Sequence, residues 1–429
     1  MPIRTLLSGL LGAALLVPVL PTGTTAAADA RTIDYGGLRL TVPADWRVVD
    51  LDLDPDACLR LDLPTLYLGH AGTQSRCTGR AVAGRADTLH LEPLDGAPER
   101  ADIPTIAVDS GTTLPETPPR SDSNELRYAL TRPGVMATVS YGAAPDAVRR
   151  VLARARAVTP TAPRPRHPAE PALAADGETL RTAQVPFTGE GFDACTAPSQ
   201  RSMDTWRADS PFGAVGIYIG GGARACAQPR LTADWVRRQA GAGWHLMPIW
   251  VGPQPWHSAG TGLSTDPSEA DAQGTAAADG AVAAAGSLGL PPGTVLYNDL
   301  EHYDDRATWE APVVAYLTAW TVRLHDLGYR SGAYVSASSG VKALKAHHHQ
   351  APEAMPDVLW VARWNDSPSV GDADMGLPTG TPKWAGRRRA HQFRGDHTAS
   401  YGGVTITIDR SWIDIDPSVI GTADIFPLS

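Results

Sequence analysis

Between residues 191 and 409 short apolar, β-rich runs alternate with longer stretches at helical spacing, and this alternation leaves few folds open. Strand candidates occupy 191–195, 214–220, 244–252, 294–301, 330–336, 358–364, 389–393 and 403–409. Helical stretches fall between them at 231–242, 268–288, 310–327 and 340–349. In the third of these, Val313, Val314, Leu317, Trp320, Thr321 and Leu324 share one face, and Gly328 ends it. Eight strands with intervening helices in roughly 240 residues match a parallel barrel in size. A doubly wound open sheet fits less well, because no Gly-x-Gly-x-x-Gly follows the first strand. The expected fold is α/β: a TIM-like (β/α)8 barrel at the C-terminus, with a smaller β-rich N-terminal domain.

The fourth strand carries the chemistry. It follows a Pro291-Pro292-Gly293 turn and ends in Asn298-Asp299-Leu300-Glu301. Side chains alternate along a strand, so Asp299 and Glu301 point the same way. In a parallel barrel the C-terminal strand ends converge on one mouth. That mouth would gather Asp193 from the first strand, Trp250 from the third, Tyr334 from the fifth, Trp364 from the sixth, Gln392 from the seventh and Asp409 from the eighth. Four carboxylates among aromatic rings suit glycoside chemistry, which needs a proton donor and a negative partner for an oxocarbenium-like transition state. Crowded carboxylates push their own pKa values apart and leave one protonated near neutrality. Trp250, Tyr334, Trp364 and Gln392 are read as substrate contacts.

Other motifs are read as structural. Gly220-Gly221-Gly222 lacks the Lys-Ser/Thr of a phosphate loop and reads as a turn. The run His347-His348-His349 points in several directions on a helix and reads as a solvated helix end. No metal and no cofactor are expected.

At the N-terminus, Arg4, an apolar run over 6–20 and small residues at Ala26, Ala27 and Ala28 form a signal-peptide layout over 1–28. Residues 29–158 read as a β-rich domain closed by a helix at 145–157, and the proline-rich 159–182 as a linker to the barrel at 183–429. Such a chain is expected to be secreted, either free or cell-wall associated, without a membrane span after signal cleavage, and monomeric. Its net charge of −9 argues against nucleic-acid binding. Twelve Trp against five Phe point mildly toward sugar stacking. Cys58, Cys77, Cys195 and Cys226 allow three connectivities, of which local pairing, Cys58 with Cys77 and Cys195 with Cys226, is the simplest.

Several motifs occur in an order that resembles a known family. They are Gly191-Phe192-Asp193-Ala194-Cys195-Thr196-Ala197-Pro198-Ser199, Gly216-Ile217-Tyr218-Ile219-Gly220-Gly221 with Cys226, Gly243-Trp244-His245-Leu246-Met247-Pro248-Ile249-Trp250-Val251-Gly252, and Tyr297-Asn298-Asp299-Leu300-Glu301. The stretch from about 191 to 414 resembles the DUF1906 (Rv2525c-like) glycoside hydrolase-like domains, which are related to the family 25 lysozymes. The resemblance implies a TIM-like barrel with functional acids at Asp193, Asp299, Glu301 and Asp409. Glu301 would be the general acid, and Asp299 would orient the reacting centre or assist a substrate 2-acetamido group. Three functions stay open: a hydrolase of polysaccharide or peptidoglycan, a non-catalytic barrel binding the same glycan, and a surface interaction protein working through its N-terminal domain.

Overall fold

The computed structural model describes residues 30–98, 100, 103–109, 113–115, 122–159, 185–256, 260–378 and 384–420. The signal-peptide segment 1–28 and residues 160–182 of the linker lie outside them. In the N-terminal region the strands are β1 (Ala30–Tyr35), β2 (Leu38–Pro43), β3 (Arg47–Asp50), β4 (Thr65–Leu68), β5 (Thr88–Pro93), β6 (Thr105–Val108), β7 (Glu125–Leu130), β8 (Val135–Ser140) and β9 (Arg156–Ala157), with helix α1 (Asp146–Ala153) before the last. β1, β2 and β9 form one sheet, and a second runs in the order β3-β4-β5-β8-β7-β6. Alternation in β2 buries Leu38, Leu40 and Val42, which join Leu89, Leu126 and Val139 under Val148 and Leu152 of α1. Residues 59–63 form no strand, and Arg60 makes an isolated bridge to Cys226 of the barrel.

The barrel follows as β10 (Phe187–Asp193), α2 (Gln200–Asp209), β11 (Ala214–Gly220), α3 (Ala233–Gly241), β12 (His245–Trp250), α4 (Pro267–Ser287), β13 (Val295–Leu300), α5 (Arg306–Asp326), β14 (Arg330–Ser336), α6 (Gly340–His347), β15 (Val358–Ala362), β16 (Arg388–Tyr401) and β17 (Val404–Ile415). The eight strands close in sequence order. Helix α2 escaped the periodicity reading because only Met203 and Trp206 are buried on it; its start is marked by Ser199, whose hydroxyl accepts from the Ser202 N–H at 3.1 Å. Ala-rich α4 packs tightly on α5, where Gly274 lies so close to Tyr316 that a Cβ would come within 2.2 Å of its carbonyl oxygen. No helix among the described residues is long and apolar enough to cross a membrane.

One feature of the barrel departs from the parallel expectation. β17 runs antiparallel to both β16 and β10. The cause is local: Tyr401 pairs with Val404, so Gly402 and Gly403 alone make the turn, both at positive φ, as a type I′ hairpin requires. Asp409 therefore reaches the mouth from the middle of an antiparallel strand, directly opposite Asp193.

The N-terminal region clasps the barrel through main-chain pairing. The loop after β11 lies between two N-terminal segments: Leu61 N–H donates to Ala225 O at 2.8 Å and Ala227 N–H to Leu59 O at 3.0 Å on one side. On the other, Ala83 N–H donates to Ala223 O at 2.9 Å and Ala225 N–H to Ala81 O at 2.7 Å. Below this seam, fully buried Arg224 pairs with Glu125 at 2.6 Å and Arg85 with the same carboxylate at 3.5 Å.

Candidate active site

A groove of about 380 Å³ opens at the barrel mouth. Asp299, Glu301, Tyr334, Trp364, Gln392 and Asp409 line it, together with Tyr218, Trp256, His302, Asp396 and residues 79–82 of the N-terminal region. Asp299 is the penultimate residue of β13 and Glu301 lies just past its end, so the period-two argument puts both on the groove. Asp193 lies just beneath the floor, buried, where the Tyr218 hydroxyl donates to its Oδ1 at 2.8 Å.

Gln392 ties the site together. Its Oε1 accepts from the Tyr334 hydroxyl at 3.0 Å and from Trp364 Nε1 at 2.9 Å. Its Nε2 donates to Asp193 Oδ2 at 3.2 Å and to Asp409 Oδ2 at 3.3 Å. A carboxamide has two donor hydrogens and two acceptor lone pairs, and here all four are engaged by protein. Gln392 thus organises the floor, and in this arrangement has no hydrogen-bonding capacity left for a ligand. A bulge in β16 supports it: Asp396, at positive φ, donates its N–H to Asp409 Oδ1 at 2.7 Å.

The four acids share one electrostatic problem. Burial raises each of their pKa values, and repulsion from neighbouring carboxylates adds to it at Asp193, Asp299 and Asp409. Asp193 is pushed up to about 6 by burial, against the pull of its hydrogen bonds from Tyr218 and Gln392. Burial and then the charge of Asp193 push Asp409 up to about 9. Asp299 is raised well above the usual range by burial, then by Glu301 and Asp193, and its Oδ1 is buried with no hydrogen-bond partner. Burial also raises half-buried Glu301, opposed first by the His302 N–H and then by Arg80. Such a cluster titrates as a unit and keeps protons near neutrality, in contact with an open groove.

The aromatic expectations divide. Trp364 is 60% exposed at the rim, lying over Gly395, where a Cβ would come within 1.9 Å of the ring. Tyr334 stands edge-on to Trp360 in the wall. Trp250 does not reach the groove. Its ring fills a slot left by Gly220 of β11 and Gly280 of α4, where added Cβ atoms would come within 2.4 and 2.7 Å of it. Its expected substrate contact is therefore corrected to core packing.

Tyr218, Trp256, His302, Asp396 and Arg80 were not singled out from sequence. Tyr218 sits in a quoted motif without an assigned role, whereas Arg80 lies in the other half of the chain. The four cysteines pair locally, as Cys58–Cys77 and Cys195–Cys226. The two bridges abut, with Cys58 Sγ 3.6 Å from Cys226 Sγ, and brace the segment that carries Arg80.

A family description, the Rv2525c-like, glycoside hydrolase-like domain, matches residues 204–413. No curated protein matches the chain. Among solved structures, the chain is similar to the Mycobacterium tuberculosis Tat-secreted protein Rv2525c, at 16% identity and TM-score 0.37, over 54% of this chain and 96% of that one. An uncharacterized B. stearothermophilus protein gives 20% identity and TM-score 0.35, over 55% and 98%. The Clostridium perfringens spore cortex lytic enzyme SleM gives 15% and 0.36, over 56% and 68%. The barrel of this protein belongs to the Rv2525c-like, glycoside hydrolase-like domain family.

Proposed function

We propose that the protein is a secreted hydrolase of cell-wall or other extracellular glycan, with Glu301 as general acid. The observation that carries this reading is the acid cluster itself: Asp299 and Glu301 face an open groove beside an exposed Trp364, with Asp193 and Asp409 below. The family match of the barrel supports the same chemistry. In this reading the Glu301 carboxyl gives its proton to the glycosidic oxygen as the C1–O bond breaks. The substrate 2-acetamido oxygen closes on C1, with Asp299 orienting the amide. Water then adds to C1, its proton returning to Glu301 and the acetamido group being released. Tyr218, Gln392 and the Asp396 N–H hold the remaining carboxylates in place.

The test is release of reducing ends from purified wall glycan. Turnover by the wild type that Glu301→Gln and Asp299→Asn both abolish, with folding retained, is the expected result. Glycan retention by all three proteins without turnover would replace hydrolysis with binding alone.

A further inference from the structure

The groove has one wall that the barrel does not supply. Residues 79–82, directly after the Cys58–Cys77 loop, form that wall. Their backbone is pinned from both directions. Gly79 N–H donates to Asp396 Oδ1 at 3.1 Å, and Arg60 Nη1 donates to Arg80 O at 3.0 Å. Ala81 O accepts from Ala225 of the barrel loop at 2.7 Å. At Gly79 itself a Cβ would come within 2.7 Å of Asp396 Oδ1 and 2.9 Å of Asp409 Oδ1, so the strap lies directly on the acid cluster.

The Arg80 side chain projects from this fixed strap as the one guanidinium among the groove-lining residues. It is exposed, and its single hydrogen bond among the described residues is a long one, from Nε to Val82 O at 3.4 Å. Glu301, Asp299, Asp409 and Asp396 line the same groove, with His302 beside them, yet among the described residues Arg80 forms no ion pair within 4.0 Å. Arg80 and Glu301 line the same groove, and the guanidinium's charge pulls against the upward shift that burial gives the Glu301 carboxyl. A guanidinium fork with no carboxylate partner among the described residues is suited to a bidentate anion.

We propose that Arg80, supplied by the N-terminal region, is the specificity-determining residue of the groove and binds a carboxylate carried by the sugar next to the scissile bond. The proposal rests on the glycan reading above and narrows it to acidic glycans. It also gives the N-terminal region a part in the site itself.

The test uses the full chain and two probes. One is a tetrasaccharide of alternating N-acetylglucosamine and N-acetylmuramic acid; the other is the same compound with its carboxylates converted to methyl amides. Calorimetry on the wild type is expected to show the acid bound about tenfold or more tighter than the amide, as one charge-assisted bidentate contact implies. Arg80→Gln should erase that difference by weakening only the acid, and Arg80→Lys should restore part of it. Unchanged unfolding midpoints are expected for both variants, because the side chain is exposed. Equal affinity for the two probes in the wild type, or an acid preference that survives in Arg80→Gln, overturns the proposal. Binding without hydrolysis would overturn the catalytic reading and leave the Arg80 assignment standing. Failure of both probes to bind overturns both.

Discussion

Replacing Gln392 by Glu changes one atom type and reverses the polarity of half the site. In the wild type the Gln392 amide donates to Asp193 and Asp409 while its oxygen accepts from Tyr334 and Trp364. An ionised Glu keeps both accepted bonds, loses both donated ones, and sets a fifth carboxylate against two others. Hydrogen bonds to charged groups are worth about 1.5–3 kcal/mol each, so losing two at geometries of 3.2 and 3.3 Å costs roughly 3–5 kcal/mol once the new side chain is ionised. A protonated Glu can still donate one of them, which halves the loss. The burial and repulsion that raise Asp193 and Asp409 would raise the new carboxyl too. For a carboxyl whose folded pKa lies above its unfolded value, stability is fully present below the unfolded pKa and falls as pH rises toward the folded one. Urea unfolding at about pH 5 and about pH 8 should therefore show a Gln392→Glu deficit, relative to wild type, about twice as large at the higher pH. An equal deficit at both values would refute the hub geometry.

Two further outcomes follow from the same structure. Because burial holds Glu301 above its ordinary range and a general acid works only when protonated, kcat/KM on glycan should fall as pH rises from about 6 toward 9; a flat or rising profile contradicts this. Replacing Glu125 by Leu removes the carboxylate that buried Arg85 and Arg224 share, and should lower stability by about 3–5 kcal/mol in urea titration, whereas a change below about 1 kcal/mol would show that the seam does not depend on it.

The acid pair on β13 was legible because strand alternation needs only local sequence, and the eight-strand count because each strand is an apolar run with its own boundaries. The hairpin was missed although its signal is there: Ser400 to Ile408 alternates around Gly402-Gly403, which asks for a two-residue turn and an antiparallel return. Trp250 misled because a strand end has two faces, and which one meets the barrel interior depends on Gly220 and Gly280 elsewhere in the chain. Gln392 was visible as a residue but its role was not, since its four partners come from β10, β14, β17 and the segment after β15. Arg80 carries no local signal. It enters the groove only because two N-terminal segments pair with the barrel loop at 223–227.

The most direct test of the central claim compares two substrates on one variant. Glu301→Gln should retain the wild-type unfolding midpoint yet lose ~10²–10⁴-fold in turnover of wall glycan, whose leaving oxygen must be protonated. On an aryl glycoside of the same sugar, whose phenolate departs without a proton, the variant's kcat/KM, which reports the first bond cleavage, should approach the wild-type value, while kcat stays limited by the second step, in which Glu301 takes the proton of water. Equal losses on both substrates, or none on either, would contradict Glu301 as the general acid.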